Sequence, residues 1–499
     1  MSRLLFVTLL AVSLASASPL STSHGTPRDV FATNLAPLVH EQHPHGTVNG
    51  SYIIVLKDGV EPSLVANHLN FVQNVHAADP AADAFAGLTH VYQTHLKGYA
   101  GHFSDLVLDH IRSMPEVDYV ERDQIVRTLE VERLAAFEAE HTTQSNAPWG
   151  LARVSHRKKL SFGTFKKYVY DADGGDGVDV YVIDTGINVK HAEFEGRASW
   201  GKTMPANDVD EDGNGHGTHC AGTIASRKYG VAKAAKVIAV KVLGSNGSGT
   251  MSDVMGGVDW AAGEAQAKAK AAAEEFRKTG RSSHKGSVAN MSLGGGKSRA
   301  LDDAVNRAVR SGMHFAVAAG NDNRDACNNS PAAAEEAITV GASTLGDERA
   351  YFSNHGPCVD VFAPGLNILS TYIGSNTSIT TMSGTSMASP HTAGLLAYLL
   401  SIYPSKDFNP ALRPDLVPTL FAHLAPTTPS ALMRSYSLVY ASLPEWASAD
   451  DDAFAPIPVP VLTPKQLKLA LLALATENAL IDELPAGTPN LLIFNNATA

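Results

Sequence analysis

The run Val178-Asp179-Val180-Tyr181-Val182-Ile183, followed directly by Asp184-Thr185-Gly186, is the stretch that decides the fold. It is almost continuously apolar, which is typical of a strand that is buried on both faces of its sheet. Similar apolar runs occur at 237–243, 314–319 and 337–342, and segments of helical pattern separate them. The sequence therefore predicts an α/β fold in which helices cover both faces of a parallel sheet.

Length and composition narrow the class of protein. The chain has 499 residues, of which 44% are hydrophobic and 18% charged, as expected for a globular protein of two or three domains. The net charge of −11 argues against a nucleic-acid partner, which would select a basic surface. Three cysteines are too few for a disulfide-built scaffold. The apolar runs are also shorter than the roughly 18–20 residues that span a membrane.

The N-terminus has the pattern of a secretory signal peptide, which we place at residues 1–17. A positive charge at Arg3 precedes an apolar stretch from Leu4 to Leu14, and Ala15-Ser16-Ala17 forms a cleavage site. The alternative is a buried N-terminal helix. We expect a protein of the secretory pathway, extracellular or vacuolar, in an oxidising compartment. Glycosylation sequons, which also arise by chance, occur at Asn49, Asn246, Asn290, Asn328, Asn376 and Asn496.

The rest of the chain divides where its composition changes. Residues 18–50 are a loose lead-in without periodicity, and residues 51–128 alternate strand and helix patterns, as in a small α+β domain. Residues 129–147 are typical of a linker, and residues 148–496 hold the long apolar runs. Within this last part, residues 404–464 are so rich in proline that we expect a surface insertion.

Three local patterns predict particular elements. Val117-Asp118-Tyr119-Val120-Glu121 alternates apolar and polar residues, which predicts a half-buried strand. Residues 254–280 are rich in Ala, Glu and Lys, which predicts a long helix with an exposed side. A helical pattern returns after the insertion, from Pro464 to Ala475.

Polar segments beside the apolar runs carry candidate chemistry. Asp184 ends a buried strand, where parallel sheets place their sites, although aspartate also ends strands routinely. His216, between glycines in residues 214–222, suits a general base. It also suits a zinc site together with His219 and Cys220, but that alternative lacks a second cluster of ligands.

A serine completes a possible catalytic group. Ser386, in Ser383-Gly384-Thr385-Ser386-Met387-Ala388-Ser389-Pro390-His391, precedes an apolar helical run, where a serine is commonly an N-cap. Free N–H groups at a helix start can also bind an oxyanion. Asp184, His216 and Ser386 supply orienter, base and nucleophile in a known triad order. Asn321, just past a buried run, offers a side-chain amide for the oxyanion.

These motifs resemble the signatures of subtilisin-type serine proteases. The three matching segments are Asp184-Thr185-Gly186, His216-Gly217-Thr218-His219 and Gly384-Thr385-Ser386-Met387-Ala388. The resemblance points to the proteinase K branch and, within it, to fungal vacuolar proteases of the cerevisin type. It is dense over residues 147–403 and looser over 464–494, and residues 51–128 resemble the inhibitory propeptide of this family.

The resemblance implies a subtilisin-like, doubly wound sheet and a serine endopeptidase made as a zymogen. Ser386 is then the nucleophile, His216 the general base and acid, and Asp184 the orienter. Asn321 is the oxyanion donor, helped by the Ser386 N–H. Peptide substrates would pair as added strands with two segments, with broad specificity and an apolar or aromatic preference. The residues of these segments are Gly247, Ser248 and Gly249, and Ser292, Leu293 and Gly294.

The same resemblance implies how the protein is regulated. The prodomain at residues 51–128 would act as an intramolecular chaperone and inhibitor, and autocleavage would occur in the linker 129–147. The expected partners are protein and peptide substrates and the protein's own prodomain. We expect a monomer without a nucleic-acid or membrane partner.

No cofactor is required for this chemistry, but the resemblance implies a structural calcium ion. Its ligands would be the Asp360 carboxylate and the carbonyl oxygens of Glu335 and Ala337. The alternative is that Asp360 only caps a turn. The resemblance also implies a disulfide between Cys327 and Cys358.

Two other functions are possible for a chain with these motifs. A catalytically silent binding protein on the same fold is the main alternative. However, a site that had lost its activity would not be expected to retain all three triad residues and Asn321. An esterase of the α/β-hydrolase type needs G-x-S-x-G and the order Ser, Asp, His. Ser386 comes last here and lies in Gly-Thr-Ser-Met-Ala, so the sequence favours a serine endopeptidase.

Overall fold

The computed structural model describes most of both predicted domains. The described residues are 35–39, 45–81, 86–129, 132–134, 144–405, 408–410 and 461–497. Outside them lie the predicted signal peptide at 1–17, most of the lead-in 18–50, much of the linker 129–147 and most of the insertion 404–464. No helix among the described residues combines the length and the apolar character that crossing a membrane requires.

An antiparallel sheet and two helices form the N-terminal domain. Its elements are β1 Leu38–Val39, β2 Thr47–Leu56, α1 Pro62–Ala78, β3 Gly87–Tyr92, β4 Gly98–His102, α2 Asp105–Arg112 and β5 Val117–Thr128. The strand order is β5-β2-β4-β3, and β1 pairs in parallel with β5. Side chains of β2 alternate, so that Ile54 and Leu56 pack with α1 and α2 whereas Ile53 and Val55 face the second domain.

Strand β5 differs from its prediction because both of its faces are buried. Val117 and Val120 belong to the core of the N-terminal domain. Tyr119 packs instead with apolar residues of the second domain, and Glu121 is only 4% exposed. The alternation correctly predicts a strand, but the prediction of a half-buried one was wrong, because the second domain covers the face that carries Tyr119 and Glu121.

The remaining elements form the C-terminal domain. Its helices are α3 Trp149–Val154, α4 His216–Ala225, α5 Met251–Thr279, α6 Arg299–Arg310, α7 Thr385–Ile402 and α8 Pro464–Leu474. After the linker strand β6 Glu132–Leu134, its strands are β7 Val178–Asp184, β8 Ala198–Thr203, β9 Lys236–Lys241, β10 Ser248–Thr250, β11 Gly286–Met291, β12 Leu293–Gly296, β13 His314–Ala318, β14 Asn329–Ser330, β15 Ile338–Ser343, β16 Val361–Pro364, β17 Ile368–Thr371, β18 Ile379–Ser383, β19 Thr476–Glu477 and β20 Leu491–Leu492.

A nine-stranded sheet forms the centre of this domain. Its order is β19-β20-β16-β15-β13-β11-β7-β9-β8, and all neighbours except β19 and β20 are parallel. Alternate residues of β7 face opposite layers: Val180 and Val182 pack with α4 and α7, and Tyr181 and Ile183 with α5 and α6. The predicted mostly parallel sheet with helices on both faces is confirmed.

The carboxyl edge of this sheet brings the candidate residues together. β7 ends at Asp184, and Asn321 lies just beyond the end of β13. Helix α4 begins at His216 and helix α7 at Thr385. Parallel sheets hold their functional residues at this edge, so a site is expected here.

The structure pairs two of the three cysteines. Cys327, after β13, forms a disulfide with Cys358, before β16. Cys220 in α4 is a buried free thiol.

Candidate active site

Asp184 and His216 form a fully buried pair. The imidazole Nδ1 lies 2.8 Å from Asp184 Oδ1, and neither side chain is exposed. Burial by itself lowers the pKa of His216. The Asp184 carboxylate and the nearby Cys220 sulfur raise this pKa by a larger amount, so that it lies well above its ordinary value. The pair therefore stabilises a positive charge on the imidazole.

Asp212 builds the loop that positions His216. Its Oδ1 accepts hydrogen bonds from the Thr185 hydroxyl at 2.9 Å and from Gly215 N at 2.8 Å, and its Oδ2 accepts one from Thr218 N at 3.0 Å. Gly215 has a φ of +99°, and a Cβ there would meet the Tyr372 ring, so glycine is required. Sequence reasoning missed Asp212, because several acidic residues share its loop and no spacing distinguishes it.

Ser386 lies in the first turn of α7, whose N-cap is Gly384, so the interpretation of Ser386 as an N-cap is wrong. Its hydroxyl lies against the carbonyl oxygen of Leu129 and 3.0 Å from that of Ser292. His216 Nε2 is buried and has no hydrogen-bond partner within the part of the chain that the structure describes. This ring nitrogen is therefore available to accept a proton.

The Asn321 amide is held in one orientation and donates to the same Leu129 carbonyl. Its Oδ1 accepts hydrogen bonds from Thr385 N and from the Thr385 hydroxyl, both at 2.9 Å. Its Nδ2 consequently faces Leu129 O at 2.8 Å. The Leu129 carbonyl oxygen therefore meets both the Asn321 amide and the Ser386 hydroxyl.

A second layer of buried polar side chains supports the turn that holds Ser386. The Ser292 hydroxyl donates to Ser386 O and accepts from Asn290 Nδ2, both at 2.9 Å. Asn290 Oδ1 accepts from the Ser389 hydroxyl at 2.8 Å. Asn290 is fully buried in β11, so this sequon is not accessible to glycosylation in the folded chain.

Both predicted substrate segments pair with the tail of the N-terminal domain. Strand β5 lies between β10 and β12 and is antiparallel to each, with Val126 opposite Gly249 and Thr128 opposite Leu293. Thr128 N donates to Gly247 O at 3.0 Å. The cleft thus binds an extended peptide through the main chain, and that peptide is the protein's own β5.

Two carboxylates of β5 bind the N-termini of helices in the second domain. Asp123 Oδ1 accepts a hydrogen bond from Ser252 N at 3.0 Å in α5, and Glu121 Oε1 accepts one from Ala300 N at 3.0 Å in α6. Burial raises the pKa of Asp123. Negative charge is favourable at a helix N-terminus, so these contacts fasten the N-terminal domain.

The ligands of the zinc alternative do not come together. His219 Nε2 lies 2.9 Å from the carbonyl oxygen of Ile368, so this nitrogen is already engaged. Asp184, His216 and Cys220 are neighbours, but His216 Nδ1 is bonded to Asp184. Burial also raises the pKa of Cys220, which disfavours the thiolate that binds metals.

The predicted calcium ligands converge, but on a lysine. Lys468 Nζ in α8 lies 3.0 Å from Glu335 O, 2.6 Å from Ala337 O and 2.9 Å from the Asp360 carboxylate. A calcium ion needs such oxygens at roughly 2.3–2.6 Å and would lie against this ammonium. With the Lys468 ammonium in this position, the residues do not fit calcium.

Comparisons with known proteins agree with this geometry. Residues 175–434 match the Subtilase family, Peptidase_S8, and residues 51–129 match the family Peptidase inhibitor I9. Subtilisin-like serine protease Pen ch 18 of Penicillium rubens is 51% identical, over 99% of this chain and 88% of the relative. Alkaline protease 2 of Aspergillus fumigatus is 49% identical, over 97% of this chain and 87% of the relative.

A solved structure supports the same relation. The crystal structure of a cold adapted subtilisin-like serine proteinase is 39% identical, with a TM-score of 0.51, over 70% of this chain and 98% of that one. The I9 match coincides with the N-terminal domain, and the Subtilase match contains Asp184, His216 and Ser386. The chain belongs to the subtilase family of serine proteases and carries an inhibitor-type prodomain.

Proposed function

We propose that Ser386 is the nucleophile of this serine endopeptidase, His216 its general base and acid, Asp184 the orienter and Asn321 the oxyanion donor. The observation that carries the proposal is the Leu129 carbonyl. Its oxygen accepts a hydrogen bond from Asn321 Nδ2 at 2.8 Å and lies against the Ser386 hydroxyl. A scissile carbonyl must lie between these two groups.

The proposed reaction follows from this arrangement. The Ser386 oxygen attacks the carbonyl carbon while His216 takes the hydroxyl proton, and Asp184 stabilises the imidazolium. Asn321 Nδ2, with the Ser386 N–H, binds the oxyanion of the tetrahedral intermediate. The imidazolium then donates its proton to the leaving amine, and water hydrolyses the acyl-enzyme with His216 again as base. Side chains and water are sufficient for these steps, so no cofactor takes part.

We place the maturation cut between Leu129 and Glu130, at the start of the linker. Before this bond, β5 pairs with β10 and β12; after it, β6 pairs with β18. The chain is thus held as an added strand on both sides of the bond. The released prodomain would end at Leu129 and remain in the cleft as a product-like inhibitor.

Two apolar side chains of the tail suggest the specificity. A Cβ at Gly294 would lie 3.4 Å from Leu129 Cδ1, so the absence of a side chain there leaves room for the residue before the cut. Val126 is fully buried beside Gly295 and Met251. We propose broad specificity with an apolar or aromatic residue before the cut and an apolar residue three positions earlier, because main-chain pairing supplies most of the contacts.

We also propose where the protein is located and which partners it has. The signal-peptide pattern of residues 1–17 and the Cys327–Cys358 disulfide support passage through the secretory pathway, to the vacuole or the extracellular space. The partners would be protein and peptide substrates and the prodomain as chaperone and inhibitor, with the enzyme a monomer. A silent binding protein is not favoured, because the triad residues and Asn321 are all present.

The test uses the full chain as wild type, as Ser386→Ala and as Ser375→Ala, which alters an exposed serine. Each protein is purified, treated with a fluorophosphonate and measured by intact mass and peptide mapping. For wild type and Ser375→Ala we expect one adduct, on Ser386, and a released fragment that ends at Leu129. In Ser386→Ala, the prodomain should remain covalently attached to the catalytic domain, and no fluorophosphonate adduct should form.

Two results would overturn parts of the proposal separately. Processing of isolated Ser386→Ala as fast as wild type would show that another group is the nucleophile. A released fragment that ends elsewhere in the linker 129–147 would leave the nucleophile intact but reject the Leu129–Glu130 bond.

A further inference from the structure

Helix α8 brings a lysine ammonium to a ring of oxygen atoms beside the central sheet. The helix begins with a capping box, in which Thr463 and Gln466 bind each other's backbone N–H groups. Leu467 and Leu471 anchor it in the hydrophobic core. These contacts fix the direction of Lys468, whose side chain is only 18% exposed.

The ammonium meets an acceptor for each of its N–H groups. Its nitrogen lies 3.0 Å from Glu335 O, 2.6 Å from Ala337 O and 2.9 Å from the Asp360 carboxylate. An ammonium has three donors, so two carbonyls and one carboxylate satisfy it completely. Asp360 Oδ2 also accepts a hydrogen bond from Thr339 N at 2.8 Å, which fixes the carboxylate.

We propose that Lys468 is the resident cation of the site formed by Glu335 O, Ala337 O and Asp360, and that this site therefore takes no calcium. Calcium requires about 6–8 oxygen ligands, and an ammonium between the same oxygens would repel it. Because this cation is covalently attached, it cannot dissociate. The stability that it provides is therefore independent of calcium concentration and of chelators.

The position of the site gives this cation a structural role. Glu335 and Ala337 precede β15, and Asp360 precedes β16, whereas Lys468 follows the insertion 404–464. The ammonium thus links α8 to two adjacent strands that are more than 100 residues earlier in the sequence. The inference does not depend on the catalytic roles proposed above.

The experiment compares melting temperatures of variants made in the full chain with Ser386→Ala, which prevents self-digestion. Lys468→Met removes the charge and keeps an unbranched apolar side chain, and Lys465→Met is the matched control, since Lys465 is exposed on the same helix. The parent and both variants are melted in EDTA and in excess calcium chloride.

We expect Lys468→Met in EDTA to melt about 3–8 °C below the parent, because it leaves the Asp360 carboxylate without its cation. Calcium should raise the melting temperature of Lys468→Met more than those of the parent and Lys465→Met, since the oxygens are then open to a metal. A loss that calcium does not restore would still support Lys468 as the resident cation. The proposal is overturned if Lys468→Met melts like Lys465→Met, or if calcium stabilises the parent as much as Lys468→Met.

Discussion

The orientation of a single amide group determines what the catalytic centre can stabilise. Thr385 donates two hydrogen bonds to Asn321 Oδ1, so the amide cannot rotate without losing both. Its Nδ2 therefore points at Leu129 O, the proposed scissile carbonyl. A donor arranged in advance contributes to the transition state without reorganisation.

We expect Asn321→Ala to lower kcat by about 10²–10³-fold and to leave KM nearly unchanged, because the lost hydrogen bond is strongest to the oxyanion. The measurement is steady-state hydrolysis of a chromogenic peptide by the processed enzyme. Asp322→Ala, at an exposed neighbouring position, is the control. A rise in KM with unchanged kcat would show that Asn321 binds the substrate in its ground state instead.

We expect the pKa of His216 to set the pH dependence of autocleavage. The imidazole is a base only when neutral, and the Asp184 carboxylate holds its pKa above the ordinary 6.5. We expect the single-turnover rate of autocleavage to rise with pH through a midpoint above 6.5. Asp184→Asn should lower this midpoint and reduce the rate by about 10⁴-fold.

This pH dependence is measured on the full chain from about pH 5 to pH 10, with the melting temperature at each pH as a control for unfolding. A constant rate over this interval, or a midpoint below 6.5, would contradict the assignment of His216 as the base.

At the scale of elements, two helices of the catalytic domain bind carboxylates of the prodomain at their N-termini. Asp123 binds the start of α5 through Ser252 N and also accepts from the Ser252 hydroxyl at 2.6 Å. We expect Asp123→Ala to speed dissociation of the cleaved prodomain by about 10–100-fold, because a hydrogen bond to a charged group contributes roughly 1.5–3 kcal/mol. The dissociation rate is measured from the noncovalent complex that the cut leaves.

Two variants control this experiment. Asp123→Asn keeps one oxygen acceptor and should recover part of the slow dissociation. Asp109→Ala removes a carboxylate that is 64% exposed on α2 and should change nothing. Equal rates for Asp109→Ala and Asp123→Ala would show that the cap does not hold the prodomain.

Elements with a strong local period could be predicted from the sequence. The helix predicted at 254–280 is α5 at 251–279, and the pattern from Pro464 to Ala475 is α8, which ends at Leu474. The composition and the helical pattern on which these predictions depend lie within the elements themselves. The end of β7 at Asp184 could be predicted for the same reason.

Contacts between distant segments could not be predicted in this way. Lys468 meets Asp360 from 108 residues away, and no motif marks either residue as a partner of the other. Glu121 is a polar residue in an alternating strand, and this pattern predicts a side chain that faces solvent. In the structure its carboxylate instead binds Ala300 N of the second domain. Leu129 could be placed only within a linker, because its register depends on strands more than 100 residues later.

For the whole molecule, we expect the stability of the prodomain to decide how long it occupies the cleft. His68 in α1 is buried in that domain, with Nδ1 2.7 Å from Glu116 and Nε2 2.9 Å from the Tyr99 hydroxyl. Burial lowers the pKa of His68 below 6.5, although Glu116 opposes this shift. The unfolded prodomain therefore takes up a proton at a pH where the folded one does not. The stability from His68 is complete above about pH 6.5 and is lost as the pH falls toward the folded pKa.

We accordingly expect acid to destabilise the prodomain, by at most about 1.4 kcal/mol per pH unit from this one group. Unfolding of the Ser386→Ala full chain in urea at several pH values measures the effect. His68→Gln, which cannot titrate, should flatten the pH dependence, whereas His110→Gln, at an exposed position on α2, should not. Buried histidines of the catalytic domain with lowered pKa values, such as His391 at about 4, act in the same direction and cancel in this comparison. An equal slope for the parent and His68→Gln would assign the acid sensitivity to other groups and would reject His68 as its source in the prodomain.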